Sequence, residues 1–161
     1  MFGYVADELP TLVADRFPID LARLGVMGHS MGGHGALVAA FRRPDRFRSC
    51  SAFAPISAPM DCPWGIKAFG GYLGADRQMW AAYDASRLMA QKALPTPILV
   101  DQGLADKFLV EQLMPEKLEA AANASGQALR VRRHAGYDHG YFFIQTFVDD
   151  HIDHHATVLK R

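Results

Sequence analysis

Short continuous apolar runs alternate along the chain with stretches whose apolar residues recur every three or four positions, the pattern of buried strands interleaved with amphipathic helices. Val5, Leu9, Leu12, Val13 and Phe17 recur near helical spacing and predict an amphipathic helix over Tyr4–Phe17, closed by Pro18. Leu24–Met27 predicts a strand, and Gly35–Phe41, rich in good helix formers, predicts a helix that ends before Pro44. Ser49–Ala54, stopped by Pro55, and Pro97–Asp101, stopped by Gly103, predict two more buried strands. Between them, Ile56 to about Trp80 reads as a long loop region with short helices. Glu111–Ala124 predicts a helix, Leu129–Arg133 a strand and Tyr141–Leu159 a final amphipathic helix. No repeat or linker interrupts the series, so residues 1–161 are expected to form one α/β domain, a mostly parallel sheet with helices on both faces.

Composition narrows the classes of function. Half the residues are apolar, and 17 Lys and Arg balance 17 Asp and Glu. A chain of that balance offers no field to steer nucleic acid or an anionic membrane. Arg130, Arg132 and Arg133 fall on one strand among mixed charges without interleaved aromatics, so no nucleic-acid surface is expected there. No apolar run has the length of a membrane span, and the acidic start lacks the pattern of a signal peptide, which points to the cytoplasm. Cys50 and Cys62 lack C-x-x-C spacing and read as reduced thiols. His151 and His155, four apart on the last helix, read as a solvated face and not as metal ligands; no metal and no cofactor is expected.

The chemistry is carried by Gly28-His29-Ser30-Met31-Gly32, a G-x-S-x-G motif placed between a strand and a helix. A strand that turns straight into a helix holds the serine in a strained conformation and exposes its hydroxyl. Serine is a weak nucleophile at its free pKa and needs a base, itself oriented by an acid. His139 lies in the loop Gly136–Gly140 that opens the last helix, and Asp106 lies just past the strand ending at Asp101. Asp101 and Asp138 compete for the acid role, but Asp101 still belongs to its strand and Asp138 is adjacent to the base. The order Ser30, Asp106, His139 is the one associated with the α/β-hydrolase fold. The Met31 amide is expected to donate one oxyanion hydrogen bond.

Beyond this motif, Cys62-Pro63-Trp64-Gly65, Gly71-Tyr72-Leu73-Gly74, Asp101-Gln102-Gly103 and Gly136-Tyr137-Asp138-His139 resemble, in order, segments of the S-formylglutathione hydrolase (esterase D) family. The resemblance implies a serine thioesterase that hydrolyses S-formylglutathione, a small-molecule thioester, to formate and glutathione in formaldehyde detoxification. It also implies that Trp64 and His29 belong to the substrate site. Ala105 and Lys107 flank the acid where that family is more acidic, and Ser57–Met60 replaces its asparagine-proline pair. Met1–Val5 looks like an internal segment of the family, so the early strands are expected to be missing. A sheet edge left open by that truncation is expected to form a homodimer or to aggregate. A broad short-chain carboxylesterase, or an inactive remnant serving as an interaction module, are the alternative readings.

Overall fold

The computed structural model describes residues 1–160. A single π-helical turn, Tyr4–Glu8, leads into α1 (Leu9–Ala14), followed by β1 (Leu24–His29), α2 (Met31–Arg42) and β2 (Phe47–Phe53). Then come α3 (Pro63–Leu73), α4 (Arg77–Trp80), α5 (Ala85–Gln91), β3 (Ile98–Gly103), α6 (Pro115–Ser125), β4 (Leu129–His134) and α7 (Tyr141–Leu159). The four strands pair in chain order, β1-β2-β3-β4, and every pair is parallel, so every connection crosses over the sheet.

Each face of the sheet takes a different cover. Cys50 and Ala52 of β2 and Ile98 and Val100 of β3 pack with Leu37 and Phe41 of α2, Met89 of α5 and Leu118 of α6. Small residues on β2 and α2 let helix and sheet approach closely, and the fully buried Leu37, Met89, Ile98 and Leu118 each stabilise by about 1.5–3 kcal/mol. On the other face, Phe53, Ile56 and Leu113 pack with Phe143, Ile144, Phe147 and Val148 around the first half of α7. No helix among the described residues is long and apolar enough to cross a membrane.

The second half of α7 docks differently. Its inner face is histidine, and this corrects the expectation that His151 and His155 form a solvated surface. His151 is fully buried and stacks on Phe53 with ring centroids 3.8 Å apart. His154 Nε2 donates to the Cys50 carbonyl at 3.1 Å, and His155 Nε2 lies 2.8 Å from Ser51 Oγ. The strand residues facing α7 are Ser51 and Asp101, so the helix answers with rings that carry hydrogen-bonding nitrogens. Gly25 belongs to this fit: a Cβ there would stand 2.7 Å from His155 Nδ1.

Two helical predictions are also corrected. Tyr4–Phe17 is not one amphipathic helix; α1 stops at Ala14, and Leu9, Leu12 and Phe17 are exposed. The small Ala6 is what packs, against Ala39 and Phe47, so the larger apolar stripe faces away. Glu111–Ala124 is divided at Met114, which takes a left-handed φ of 46°, because Pro115 has no N–H to continue a helix from upstream and starts α6 instead. The region from Ile56 to Trp80 holds short helices within loops, as expected, and Cys62 Sγ caps α3 by accepting from Gly65 N at 3.4 Å.

The histidine face makes docking of α7 sensitive to acid. Burial, then the neighbouring charges of His154 and His151, push His155 down to about 4. Its folded pKa is below its unfolded value, so the unfolded chain binds the extra proton between about 6.5 and 4, and stability falls as pH falls through that window. Denaturant unfolding of the parent is expected to lose on the order of 2 kcal/mol more than His155→Gln between pH 7 and pH 4. Equal losses would show that His155 titrates alike in both states.

Candidate active site

β1 passes into α2 through Ser30 alone, whose φ of 57° and ψ of −117° lie outside the regions that L-residues favour. Strand-like bonding to the chain around β2 and the first helical bond of α2 together hold the strain. Ser30 N donates to the Phe53 carbonyl at 2.8 Å, while the Ser30 carbonyl accepts from His34 N at 2.9 Å and Ile56 N at 3.3 Å. The turn is tight enough that a Cβ on Gly28 would lie 2.1 Å from the Gly32 carbonyl oxygen. Gly33, not Gly32, is the second glycine pressed by its surroundings, with Phe53 O and Pro55 Cβ each 3.1 Å from a Cβ placed there; Gly32 has open space. The Met31 amide, first in α2, donates to no backbone carbonyl among the described residues and sits at the positive end of the helix dipole.

Across the sheet edge, two loops are stitched together. Leu104 N donates to the His134 carbonyl and Ala105 N to the Tyr137 carbonyl, both at 2.9 Å. The loops touch because residue 103 is glycine: a Cβ there would stand 2.4 Å from Tyr137 O. The stitching brings Asp106 Oδ2 within 2.5 Å of His139 Nδ1. The other oxygen, Oδ1, accepts from Phe108 N at 2.9 Å, and Gln102 Nε2 donates to Oδ2 at 3.4 Å. A carboxylate so held fixes the imidazole with its Nδ1 protonated, leaving Nε2 as the proton acceptor.

The competing acids are occupied elsewhere. Asp138 Oδ1 accepts from Gly140 N at 2.7 Å, and Asp101 is fully buried against Arg132, whose Nε and Nη2 reach it at 2.6 and 2.5 Å. Burial pushes the Asp101 carboxyl up, but His151 and Arg132 overcome this and hold it at about 2.

His29, beside Ser30, packs its ring against His139 with centroids 4.4 Å apart. Burial, and then the charge on His139, lower the His29 pKa, so it meets its neighbour as a neutral ring. No hydrogen bond joins Ser30 Oγ to His139 among the described residues; the residue next to the serine, His29, is the one whose ring touches the Asp106–His139 pair. Trp64 sits half-exposed at the start of α3, its N–H donating to Gln112 Oε1 at 3.1 Å, and its ring stacks on no other aromatic among the described residues. Gln102 and Phe108 escaped the reading of the sequence, although a glutamine at the end of an otherwise apolar buried strand is itself a signal of a polar partner. No cluster of three or more metal-ligating side chains gathers among the described residues.

A strained serine at a strand–helix elbow and a carboxylate–imidazole pair at the same edge of a parallel sheet define an α/β-hydrolase fold. Residues 3–154 match the family model described as "Putative esterase", and the chain belongs to that family. It is 50% identical to the S-formylglutathione hydrolase of Rattus norvegicus over 162 residues, covering 99% of this chain and 57% of the relative. The S-formylglutathione hydrolase of Paracoccus denitrificans is 49% identical over 156 residues, with 97% and 56% covered. A solved S-formylglutathione hydrolase from Agrobacterium tumefaciens superposes with a TM-score of 0.94 at 48% identity, covering 99% of this chain and 57% of that one. The chain thus spans a little over half the length of the relatives it matches.

The elbow separates its two motif glycines. Gly28→Ala drives a methyl group into backbone and is expected to cost about 3 kcal/mol or more, whereas Gly32→Ala is expected to stay within about 1 kcal/mol of the parent. Chemical denaturation measures both; equal costs would contradict a turn that is closed at Gly28 and open at Gly32.

Proposed function

We propose that this chain is a single α/β-hydrolase domain of a serine thioesterase that hydrolyses S-formylglutathione to formate and glutathione, as in formaldehyde detoxification. The observation that carries the reading is the strained Ser30 elbow and the Asp106–His139 pair at the carboxyl edge of one parallel sheet, in a chain about 50% identical to curated S-formylglutathione hydrolases. In this reading Ser30 Oγ attacks the formyl carbon while His139 Nε2 takes its proton. The oxyanion forms against the Met31 amide, and collapse expels the glutathione sulfur, which receives the proton from His139. A water then attacks the formyl-serine, again giving its proton to His139, and formate leaves as Ser30 regains its hydrogen. Asp106 stabilises the imidazolium in both halves. Trp64 lines the substrate site, its half-exposed ring free of aromatic partners, and His29 flanks the reacting centre. The free, buried thiols Cys50 and Cys62 suit a reducing compartment, and we assign the cytoplasm.

Ser30→Ala is expected to abolish labelling by a fluorophosphonate probe and to lower S-formylglutathione turnover at least about a thousandfold, with the circular dichroism spectrum unchanged. Residual labelling or turnover near the parent's would remove Ser30 from the reaction.

The same reading includes a homodimer through β1. This strand is an edge of the sheet, and exposed Met27, Ile19, Phe17, Leu12 and Leu9 lie on or near it in sequence. Open backbone donors beside apolar surface form a template for a second strand. Sedimentation is expected to show a concentration-dependent dimer or larger species that Met27→Lys shifts toward monomer. A parent that stays monomeric across the concentration range would overturn this assembly.

A further inference from the structure

We propose that Phe108 is a positioning residue that holds both members of the acid–base pair, the acid through its backbone amide and the base through its ring. The inference rests on the reading of Asp106 and His139 as acid and base. Its amide donates to Asp106 Oδ1 at 2.9 Å, on the carboxylate whose other oxygen lies 2.5 Å from His139 Nδ1. Its ring meets the His139 imidazole edge-on, with centroids 5.1 Å apart and planes at 77°. One residue therefore closes a loop of contacts from acid to base and back.

The backbone of Phe108 is itself anchored. Its carbonyl accepts from both Gln112 N and Leu113 N at 3.0 Å, and the Asp106 carbonyl accepts from Leu109 N at 3.1 Å, so the wide turn Leu109–Leu113 fixes where the ring can point. Leu113, fully buried in the aromatic cluster under α7, ties that turn to the fold. An imidazole held by one hydrogen bond still swings about that bond, and a swing carries Nε2 away from the nucleophile. The edge of Phe108 and the tilted ring of His29, at 4.4 Å, both restrict it.

Core packing does not account for the ring. Phe108 is 38% exposed, with Lys107 Nζ 5.0 Å from its centroid on the accessible side of the turn. Among the described residues the one aromatic ring it meets is that of His139. Aromatic pairs of this kind bias a geometry by up to about tenfold.

Two variants and three readouts decide it in the full chain. The proton on His139 Nδ1, assigned by its disappearance in Asp106→Asn, is followed by NMR for its exchange with water; labelling of Ser30 by a fluorophosphonate and the thermal midpoint are measured alongside. Phe108→Ala is expected to speed exchange of that proton and to slow labelling, each up to about tenfold, with the midpoint little changed. Phe108→Tyr, which keeps the ring, is expected to restore both. Unchanged exchange in Phe108→Ala would overturn the proposal, as would a collapse of the midpoint in proportion to the lost signal, since that assigns the ring to stability. A parent that shows the Nδ1 proton but never labels at Ser30 would instead overturn the hydrolase reading, leaving the role of Phe108 to be decided by exchange alone.

Discussion

A charge buried to zero exposure is the constraint around which this fold is arranged. Asp101, at the carboxyl end of β3, is cut off from water and so must be surrounded by cations or donors. Arg132 from β4 supplies a two-pronged grip, and His134 and His151 approach within 3.4 and 3.3 Å. Those partners come from the strand before the His139 loop and the helix after it. The loop is thereby pinned at both ends to one carboxylate. Arg132 also reaches Asp150 at 2.5 Å, so the grip extends along α7. A buried ion pair of this kind gives little net stability against an apolar alternative, but losing one partner costs about 3–5 kcal/mol, which makes it a strong determinant of geometry.

That constraint explains why α7 can dock on polar positions. A parallel strand buried on both faces is ordinarily apolar throughout, yet β2 and β3 present Ser51 and Asp101 to the helix. Histidine meets this need because a neutral imidazole buries as a flat ring and still carries a nitrogen for a hydroxyl or carbonyl. Near Phe53, Phe143 and Phe147 the rings also stack: His134 lies 3.8 Å from Phe147, and His151 the same distance from Phe53. The cost is sensitivity to acid at His154 and His155, where burial holds the pKa below the ordinary imidazole value.

The strands, the elbow and α7 were legible in the sequence, and the reasons are local. Strand β3 opens on an apolar run with its own stop signal, Ser30 sits in a motif whose first glycine, Gly28, has a steric purpose, and the bounds of α7 follow a period that no proline interrupts. That Asp106, and not Asp101 or Asp138, bonds the His139 imidazole follows from loop position, which limits reach. The rest was not legible because it depends on partners distant in the chain. Nothing local distinguishes a histidine face turned to solvent from one turned to Ser51 and Asp101, which belong to strands far earlier in the chain. Likewise Phe108 gains its role from the ring of His139 in another loop, and α1 turns its larger apolar residues outward because Ala6 alone fits beneath Ala39 and Phe47.

Ser30 and the Asp106–His139 pair are built on separate parts of the sheet, so something must set the distance between them. The end of β2 does this. Phe53 O receives Ser30 N at 2.8 Å on one side, and Ala54 N donates to Asp101 O at 2.7 Å on the other, so two consecutive residues bridge the elbow and the strand that launches Asp106. Ala54 takes a left-handed φ of 40° there, a conformation alanine adopts only when its surroundings impose it. Ile56 N then returns to the Ser30 carbonyl at 3.3 Å, closing the backbone around the serine. Both strained residues adjoin the Phe53–Ala54 peptide, and that short stretch of backbone ties the elbow bearing the hydroxyl and the Met31 amide to the strand that leads to Asp106.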